Sequence, residues 1–359
     1  MAKTSINEQI ILAALSKVQD PEIHKDLVSL NMVKDIQING NNVSLSVILT
    51  TPACPLKTRI ENDVRNALQA IPGIGEIKIN MGASVPDDGR SRGMMKLPVK
   101  NAIAVGAGKG GVGKSTVAVN LAVSLACSGA KVGLLDADIY GPNIPTMMGI
   151  KSLPQPNGDR ITPAEAYGVK VISIGLMVKP GQALVWRGPM LHSAIRQFLG
   201  DVDWGNLDYL VIDLPPGTGD AQLSLAQSIP LTGAVIVTLP QEVSLEDASR
   251  AVAMFRALNV PLLGVVENMS YLELPDGTRL EVFGKGGGKK LASIADIPFL
   301  GSIPMQTDIS AGGDSGQPIV VSAPESSAGK ALSEISRSIA AQISMAAFTN
   351  ENEPAPEPN

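Results

Sequence analysis

From Asn101 onward the chain repeats a pattern that few architectures accommodate: short, uninterrupted apolar runs separated by segments of helical periodicity. "NAIAVGA", "KVGLLDAD", "VKVISIG", "LDYLVIDLPPG", "GAVIVTLP", "VPLLGVVENM" and "IPFLGSIP" are the runs. A strand with one wet face alternates apolar and polar residues, whereas a strand apolar throughout is covered on both faces. The pattern therefore predicts an α/β fold, a doubly wound and mostly parallel sheet with helices on either side. Hydrophobic residues make up 44% of the chain and aromatic ones only 3%, so the core is aliphatic. Ligands of such sheets bind beyond the carboxyl ends of the strands, and the residues discussed below fall at those ends.

Before Asn101 the periodicities differ. Residues 5–18, "SINEQIILAALSKV", place apolar side chains at helical spacing, and Asp20-Pro21 closes the segment because a residue preceding proline avoids the helical region. "MVKDIQINGNNVSLSVILTT" reads as two alternating strands around Asn39-Gly40-Asn41-Asn42, residues that tolerate a tight hairpin turn. A helix from Pro55 to about Ala70 and a strand "GEIKIN" complete an αββαβ unit. The expected organisation is a smaller N-terminal α+β domain over 1–82, an exposed linker over 83–99, the larger α/β domain over 100–347, and a disordered acidic tail over 348–359. Within 329–347, Leu332, Ile335, Ile339 and Ile343 share one face; the scarcity of cations makes this a closing core helix rather than a membrane-surface one.

A net charge of −5 gives no electrostatic footprint for nucleic acid or an anionic membrane, and neither is an expected partner. With no long apolar run and no secretory start, the expected location is cytoplasmic. The two cysteines, Cys54 and Cys127, are then expected to be reduced. Cys127 lies in a helical stretch where a free cysteine is ordinarily a small buried hydrophobe.

"AVGAGKGGVGKSTVAVNLA" at 104–122 satisfies the G-x-x-x-x-G-K-S/T spacing through Gly108 and Gly113-Lys114-Ser115, between an apolar strand and a helix. The backbone from Gly108 through Lys109, Gly110, Gly111, Val112 and Gly113 to Thr116 is expected to close around nucleotide phosphates, with Lys114 on the terminal ones and the Ser115 hydroxyl on Mg²⁺. Asp213 ends the strand of "YLVIDLPPGTGD" and fits the second metal-holding position. Asp136 and Asp138 in "GLLDADIYGPNIP" lie on one pleat side; Asp138 is favoured for orienting the attacking water and Asp136 for a place near the metal, with loop capping as the plain alternative. Lys109 is a second cation in a loop whose usual lysine is already supplied.

"GKGGVGKST", with its early lysine, resembles the deviant Walker A motif of the SIMIBI ATPases, which include nitrogenase iron protein, the Min and Par positioning ATPases and the Mrp/ApbC iron–sulfur carriers. "LDADIYGPNIP", "DLPPGTGD", "VENMSY" and "FGKGGGKKLA" resemble the Mrp/ApbC carriers in particular, and "DPEI" at 20–23 with "TTPACPLK" at 50–57 is similar to the Fe–S-assembly domain often fused to them. The resemblance implies an ATP- and Mg²⁺-dependent homodimer that delivers Fe–S clusters to apoproteins. It also implies that Lys109 reaches the partner's nucleotide, and that Asn268 and Pro304 border the adenine base.

Carriers of this kind commonly follow "ENMSY" with a C-x-x-C pair, where this chain has Leu272, Glu273, Leu274, Pro275 and Asp276. Cys54 then becomes the possible cluster ligand, one from each of two subunits, with His24 of the same small domain as a further candidate. Preceding a proline at an expected helix N-terminus, Cys54 should have its thiolate favoured by the helix dipole; a functional thiol and a structural residue both fit. The rival to a carrier is a positioning or regulatory ATPase switch that binds a protein partner without a cluster; a kinase or transferase would need an acceptor signature that is not visible.

Overall fold

A computed structural model describes residues 6–88, 98–138, 141–156, 158–177, 188–217 and 219–350. The linker expected over 83–99 lies partly outside these residues, as does most of the acidic tail, and so do Ile139, Tyr140 and Thr218 of the quoted motifs. The chain divides into two compact units, Met1–Pro86 with Ala340–Asn359, and Asp87–Ile339.

In the first unit, α1 (Glu8–Leu15) starts where the Asn7 side chain accepts from the Ile10 N–H, filling one of the amide vacancies at a helix start. Strands β1 (Val33–Asn39) and β2 (Asn42–Leu49) pair antiparallel across a turn in which Gly40 takes φ 63. Helix α2 (Lys57–Gln69) then leads to β3 (Ile77–Ala83), which pairs parallel to β2. β2 alternates buried and part-exposed residues, and its Val43, Leu45 and Val47 pack with Ile11, Leu15, Ile60, Val64 and Leu68 as the core. The one-sided sheet is the direct result of that two-residue period.

The second unit runs β4 (Val99–Gly106), α3 (Lys114–Cys127), β5 (Val132–Asp136), α4 (Ile144–Met147), β6 (Ala164–Ala166), β7 (Val169–Ser173), α5 (Gly188–Gly200), β8 (Leu207–Asp213), α6 (Asp220–Ser228), β9 (Gly233–Thr238), α7 (Glu242–Ala257) and β10 (Leu262–Glu267). A small hairpin of β11 (Leu272–Glu273) and β12 (Arg279–Leu280) follows, then α8 (Gly287–Ile294), β13 (Phe299–Ser302), α9 (Thr307–Ser315), α10 (Ile319–Ser322) and α11 (Ser327–Asn350), whose residues from Ala340 onward belong to the first unit. The main sheet has the order β13-β10-β9-β4-β8-β5-β7-β6, and every pairing in it is parallel except that of the edge strand β6 with β7. β4, β5, β8 and β9 are buried almost throughout, as strands covered on both faces must be.

Strand order matters more to the site than strand identity. β8 lies between β4 and β5, in a register that sets Asp213 beside Val105 on one side and beside Asp136 on the other. Three carboxyl ends thus open at one place. In α11, Leu332, Ile335, Ile339 and Ile343 are all buried, so that apolar face packs within the protein. Among the described residues no helix is long and apolar enough to cross a membrane. Cys127 departs from expectation: it is exposed. α3 is buried through Leu125, and Cys127, its last residue, emerges beyond the covered stretch, where the chain turns toward β5.

Candidate active site

β4 ends at Gly106 and the chain wraps into the start of α3. Gly111 and Gly113 adopt φ 79 and 84, conformations that L side chains occupy only with strain. Gly108 is required by proximity instead, because a Cβ there would lie 2.1 Å from the Asp247 carbonyl on α7. The first amides of α3 therefore face an open concavity with the helix dipole behind them, an arrangement suited to anions. The loop after β8 supports this turn from the side through Gly217 N–H donating to Ala107 O at 3.1 Å.

The polar side chains at these strand ends satisfy one another. Lys114 Nζ donates to Asp213 Oδ1 at 2.6 Å and to Ser115 Oγ at 3.3 Å, and lies 3.7 Å from Asp138 Oδ2. Ser115 Oγ donates to Asp213 Oδ2 at 2.6 Å. Asp136, fully buried, accepts from Ser173 Oγ at 2.8 Å and from the Asp138 N–H at 3.1 Å. Burial, reinforced by the neighbouring Asp213, pushes the Asp136 carboxyl up to about 8. Burial also raises Asp213, against the opposing pull of the Lys114 ammonium. The Ser115 hydroxyl and the Asp213 carboxylate thus meet at the foot of α3, hard oxygens of the kind Mg²⁺ takes.

A cavity of about 780 Å³ opens over this cluster. Lys109, Gly110, Gly111, Gly113, Lys114, Ser115, Thr116, Asp138, Asn268 and Pro304 line it, bringing together residues far apart in sequence. Gly108, Val112, Asp136 and Asp213 do not line it and act from behind its wall. This separates the two aspartates of "DAD": Asp138 faces the cavity, whereas Asp136 is enclosed by Ser173 and backbone. Lys109 is half-buried on the cavity and forms no ion pair with a described residue. Asn268 Nδ2 donates to Val112 O at 2.9 Å and so braces the phosphate loop directly. A Cβ on Gly113 would collide with that same amide at 2.1 Å.

Two buried contributors had no signal in the sequence. Ser173 ends an apolar run like any other, and only the β5–β7 register sets it opposite Asp136. Glu267 ends β10 and holds the loop that carries Asn268.

In the first unit "DPEI" and "TTPACPLK" converge, since the carboxylates of Asp20 and Glu22 act electrostatically on Cys54. The expected thiolate is not what the environment favours. α2 begins at Lys57, beyond Cys54, and burial pushes the thiol up to about 11, with Glu22 and Asp20 adding to the effect. Burial and Asp20 likewise raise Glu22. His24 lines a separate cavity of this unit, and among the described residues no group of three His, Cys, Asp or Glu is arranged to hold a metal ion. At the position of the C-x-x-C pair, the β11–β12 hairpin closes through Leu274 N–H to Thr278 O, with Arg279 4.2 Å above the Tyr271 ring.

Residues 98–340 match the family described as NUBPL iron-transfer P-loop NTPase, and residues 8–81 match the one described as iron-sulfur cluster assembly protein. A Synechocystis protein named iron-sulfur cluster carrier protein is 51% identical, covering 94% of this chain and 98% of its own. A Deinococcus radiodurans protein of the same name is 53% identical over 96% and 98%. Among solved structures, a nucleotide-binding protein in complex with ADP from Archaeoglobus fulgidus is 41% identical with a TM-score of 0.55, covering 61% of this chain and 88% of that one.

Proposed function

The chain belongs to the NUBPL-type iron-transfer P-loop NTPases, with an iron–sulfur cluster assembly domain ahead of the NTPase, and from that premise we propose how its residues work. It is an ATP-hydrolysing iron–sulfur cluster carrier, as the naming of its full-length relatives supports, and the cluster is its cargo. We propose that it acts in the cytoplasm as a homodimer that ATP closes and hydrolysis releases, delivering clusters to apoprotein acceptors.

The observation that carries this reading is the knot of Lys114, Ser115 and Asp213 beneath a cavity that Lys109 also lines. Without nucleotide, Asp213 holds Lys114; with ATP, Lys114 exchanges that carboxylate for the terminal phosphate oxygens. Ser115 and Asp213 are the residues that hold Mg²⁺, which when bound neutralises phosphate charge. Asp138, on the cavity wall, orients the attacking water, while Asp136 and Ser173 fix the backbone at Asp138 from behind. Asn268 and Pro304 flank the base. Lys109 has no ionic partner among the described residues and serves the nucleotide of the other subunit, stabilising charge on the transferring phosphoryl group. Cys54 is the residue offered to the cargo, as a protonated thiol that gives up its proton on binding.

Two measurements test these assignments. Lys114→Ala should abolish ATP hydrolysis, and turnover equal to wild type would remove the phosphate-loop assignment. Anaerobic reconstitution with iron and sulfide should load wild type, which should pass cluster to an apoprotein, and Cys54→Ser should load poorly. If Cys54→Ser loads and transfers like wild type, Cys54 is not the ligand; if neither protein binds or transfers cluster, the carrier reading fails.

The thiol-free hairpin at 272–280 favours a second reading, a regulatory switch that engages a protein partner in its ATP state. Anaerobically purified protein that is brown excludes it.

A further inference from the structure

Glu267 is a charged side chain 1% exposed at the end of β10, it does not line the nucleotide cavity, and nothing above gives it a role in hydrolysis. Its surroundings are specific. Oε1 accepts from Ser270 Oγ, and Oε2 accepts from the Gly288 N–H at 2.7 Å, in the first turn of α8. Its backbone oxygen accepts from Ile303 N–H at 2.8 Å, and Ser270 N–H returns to Ile303 O at 2.9 Å. One residue therefore ties together the loop 268–270, the segment before Pro304, and the helix after the β11–β12 hairpin.

The glycines of "GKGGG" follow from the same packing. A Cβ on Gly288 would lie 2.8 Å from Glu267 Cβ, and one on Gly287 would lie 2.1 Å from Pro240 O. α8 approaches close enough for its amide to reach the carboxylate only because those positions lack side chains. Between Glu267 and Ser270, Met269 takes φ 50, a conformation disfavoured for its side chain that persists where surrounding bonds determine it. Asn268 is held in this strained turn, with its N–H on Thr238 O at 2.8 Å and its Nδ2 on Val112 O at 2.9 Å.

We propose that Glu267 is a positioning residue of the nucleotide site, whose buried carboxylate locks Asn268 against the phosphate loop by clamping the 268–270 turn to the N-terminus of α8. Charge-assisted hydrogen bonds in a water-excluded pocket are stiff as well as strong. Removing the carboxylate leaves the Ser270 hydroxyl and the Gly288 amide unsatisfied and the turn free to relax. The inference rests on the reading that Asn268 serves the bound nucleotide.

Steady-state ATP hydrolysis by the full chain with Mg²⁺ tests it, with KM and kcat measured for Asn268→Ala, Glu267→Ala, Glu267→Gln, Ser270→Ala and the double variant Glu267→Ala/Asn268→Ala. Asn268→Ala and Glu267→Ala should each raise the ATP KM by about tenfold, the scale of one lost buried hydrogen bond, with kcat within about twofold. The double variant should be no worse than the poorer single, because both act through one turn. Glu267→Gln, which keeps an acceptor, should fall between wild type and Glu267→Ala, and Ser270→Ala should raise KM by a smaller factor. An unchanged KM in Glu267→Ala, or fully additive effects, overturns the proposal. Should Glu267→Ala fail to fold, Ser270→Ala decides, and a wild-type KM there overturns it. If Asn268→Ala itself leaves KM unchanged, the assignment of Asn268 falls and takes the proposal with it.

Discussion

Replacing Asp136 by asparagine should change how the stability of the second unit depends on pH. The Asp136 carboxyl is fully buried beside Asp213 and is pushed up to about 8, whereas an unfolded chain holds an aspartate near about 3.9. Between those values the native state keeps a proton that the unfolded state has lost, so stability falls as pH rises across that window. About four decades of acidity at about 1.36 kcal/mol each make the full contribution roughly 5 kcal/mol, present below pH about 4 and gone above about 8. The asparagine amide keeps an acceptor for the Asp138 N–H and turns its NH₂ toward Ser173 Oγ, without carrying the titration. The variant should therefore be about 1.5 kcal/mol more stable than wild type at pH 5, where about one decade of the window has been crossed, and roughly 5 kcal/mol more stable at pH 9. Trp204 is buried in the second unit, and neither Met1–Pro86 nor Ala340–Asn359 contains a tryptophan, so denaturant unfolding followed by tryptophan emission, in EDTA and without nucleotide, reads that unit. A constant gap between the two proteins from pH 5 to 9, or a wild type that gains stability relative to the variant as pH rises, would refute the reasoning.

Other outcomes follow from the same geometry. Lys109→Ala should bind ATP nearly as wild type does but lose ATP-dependent dimerisation and most turnover; light scattering and hydrolysis rates check this, and unchanged turnover would remove the role across the dimer. In a Cys127→Ser background, iodoacetamide should label Cys54 slowly at pH 8, where about one thiol in a thousand is ionised, and about tenfold faster per pH unit up to about 11; labelling at pH 8 as fast as a free cysteine would contradict its burial. Gly108→Ala should abolish nucleotide binding and destabilise the second unit by about 1–3 kcal/mol, because the new methyl meets α7 backbone at 2.1 Å. Wild-type nucleotide affinity in that variant would show that the loop and α7 can part.

Much was legible in the sequence because it is encoded locally. Uninterrupted apolar runs specify strands covered on both faces, the Asn39–Asn42 turn specifies the hairpin, and the spacing of Gly108, Gly113, Lys114 and Ser115 specifies a phosphate loop. Of the residues expected around the nucleotide, Lys109, Gly110, Gly111, Gly113, Lys114, Ser115, Thr116, Asn268 and Pro304 line one cavity, whereas Gly108 and Val112 do not. What remained depends on partners distant in the chain. Asp136 and Asp213 are neighbours because β8 pairs with β5, a pairing absent from any periodicity; burial in the sheet raises both carboxyls, and at Asp136 the neighbouring Asp213 adds to it. The short edge strand β6 and the β11–β12 hairpin are too brief to leave a period. Cys127 sits on a helix like its buried neighbours, and only where α3 ends decides that it meets solvent. Cys54 precedes a helix as the sequence indicates, yet the fold half-buries it near Asp20 and Glu22, and desolvation outweighs the hydrogen bond from the Leu56 backbone. Sequence determined which chemistry this protein carries, since propensity, spacing and turn geometry act over a few residues; tertiary structure decided which groups are charged, paired or accessible, since burial and register are set by strands and helices that meet from opposite ends of the chain.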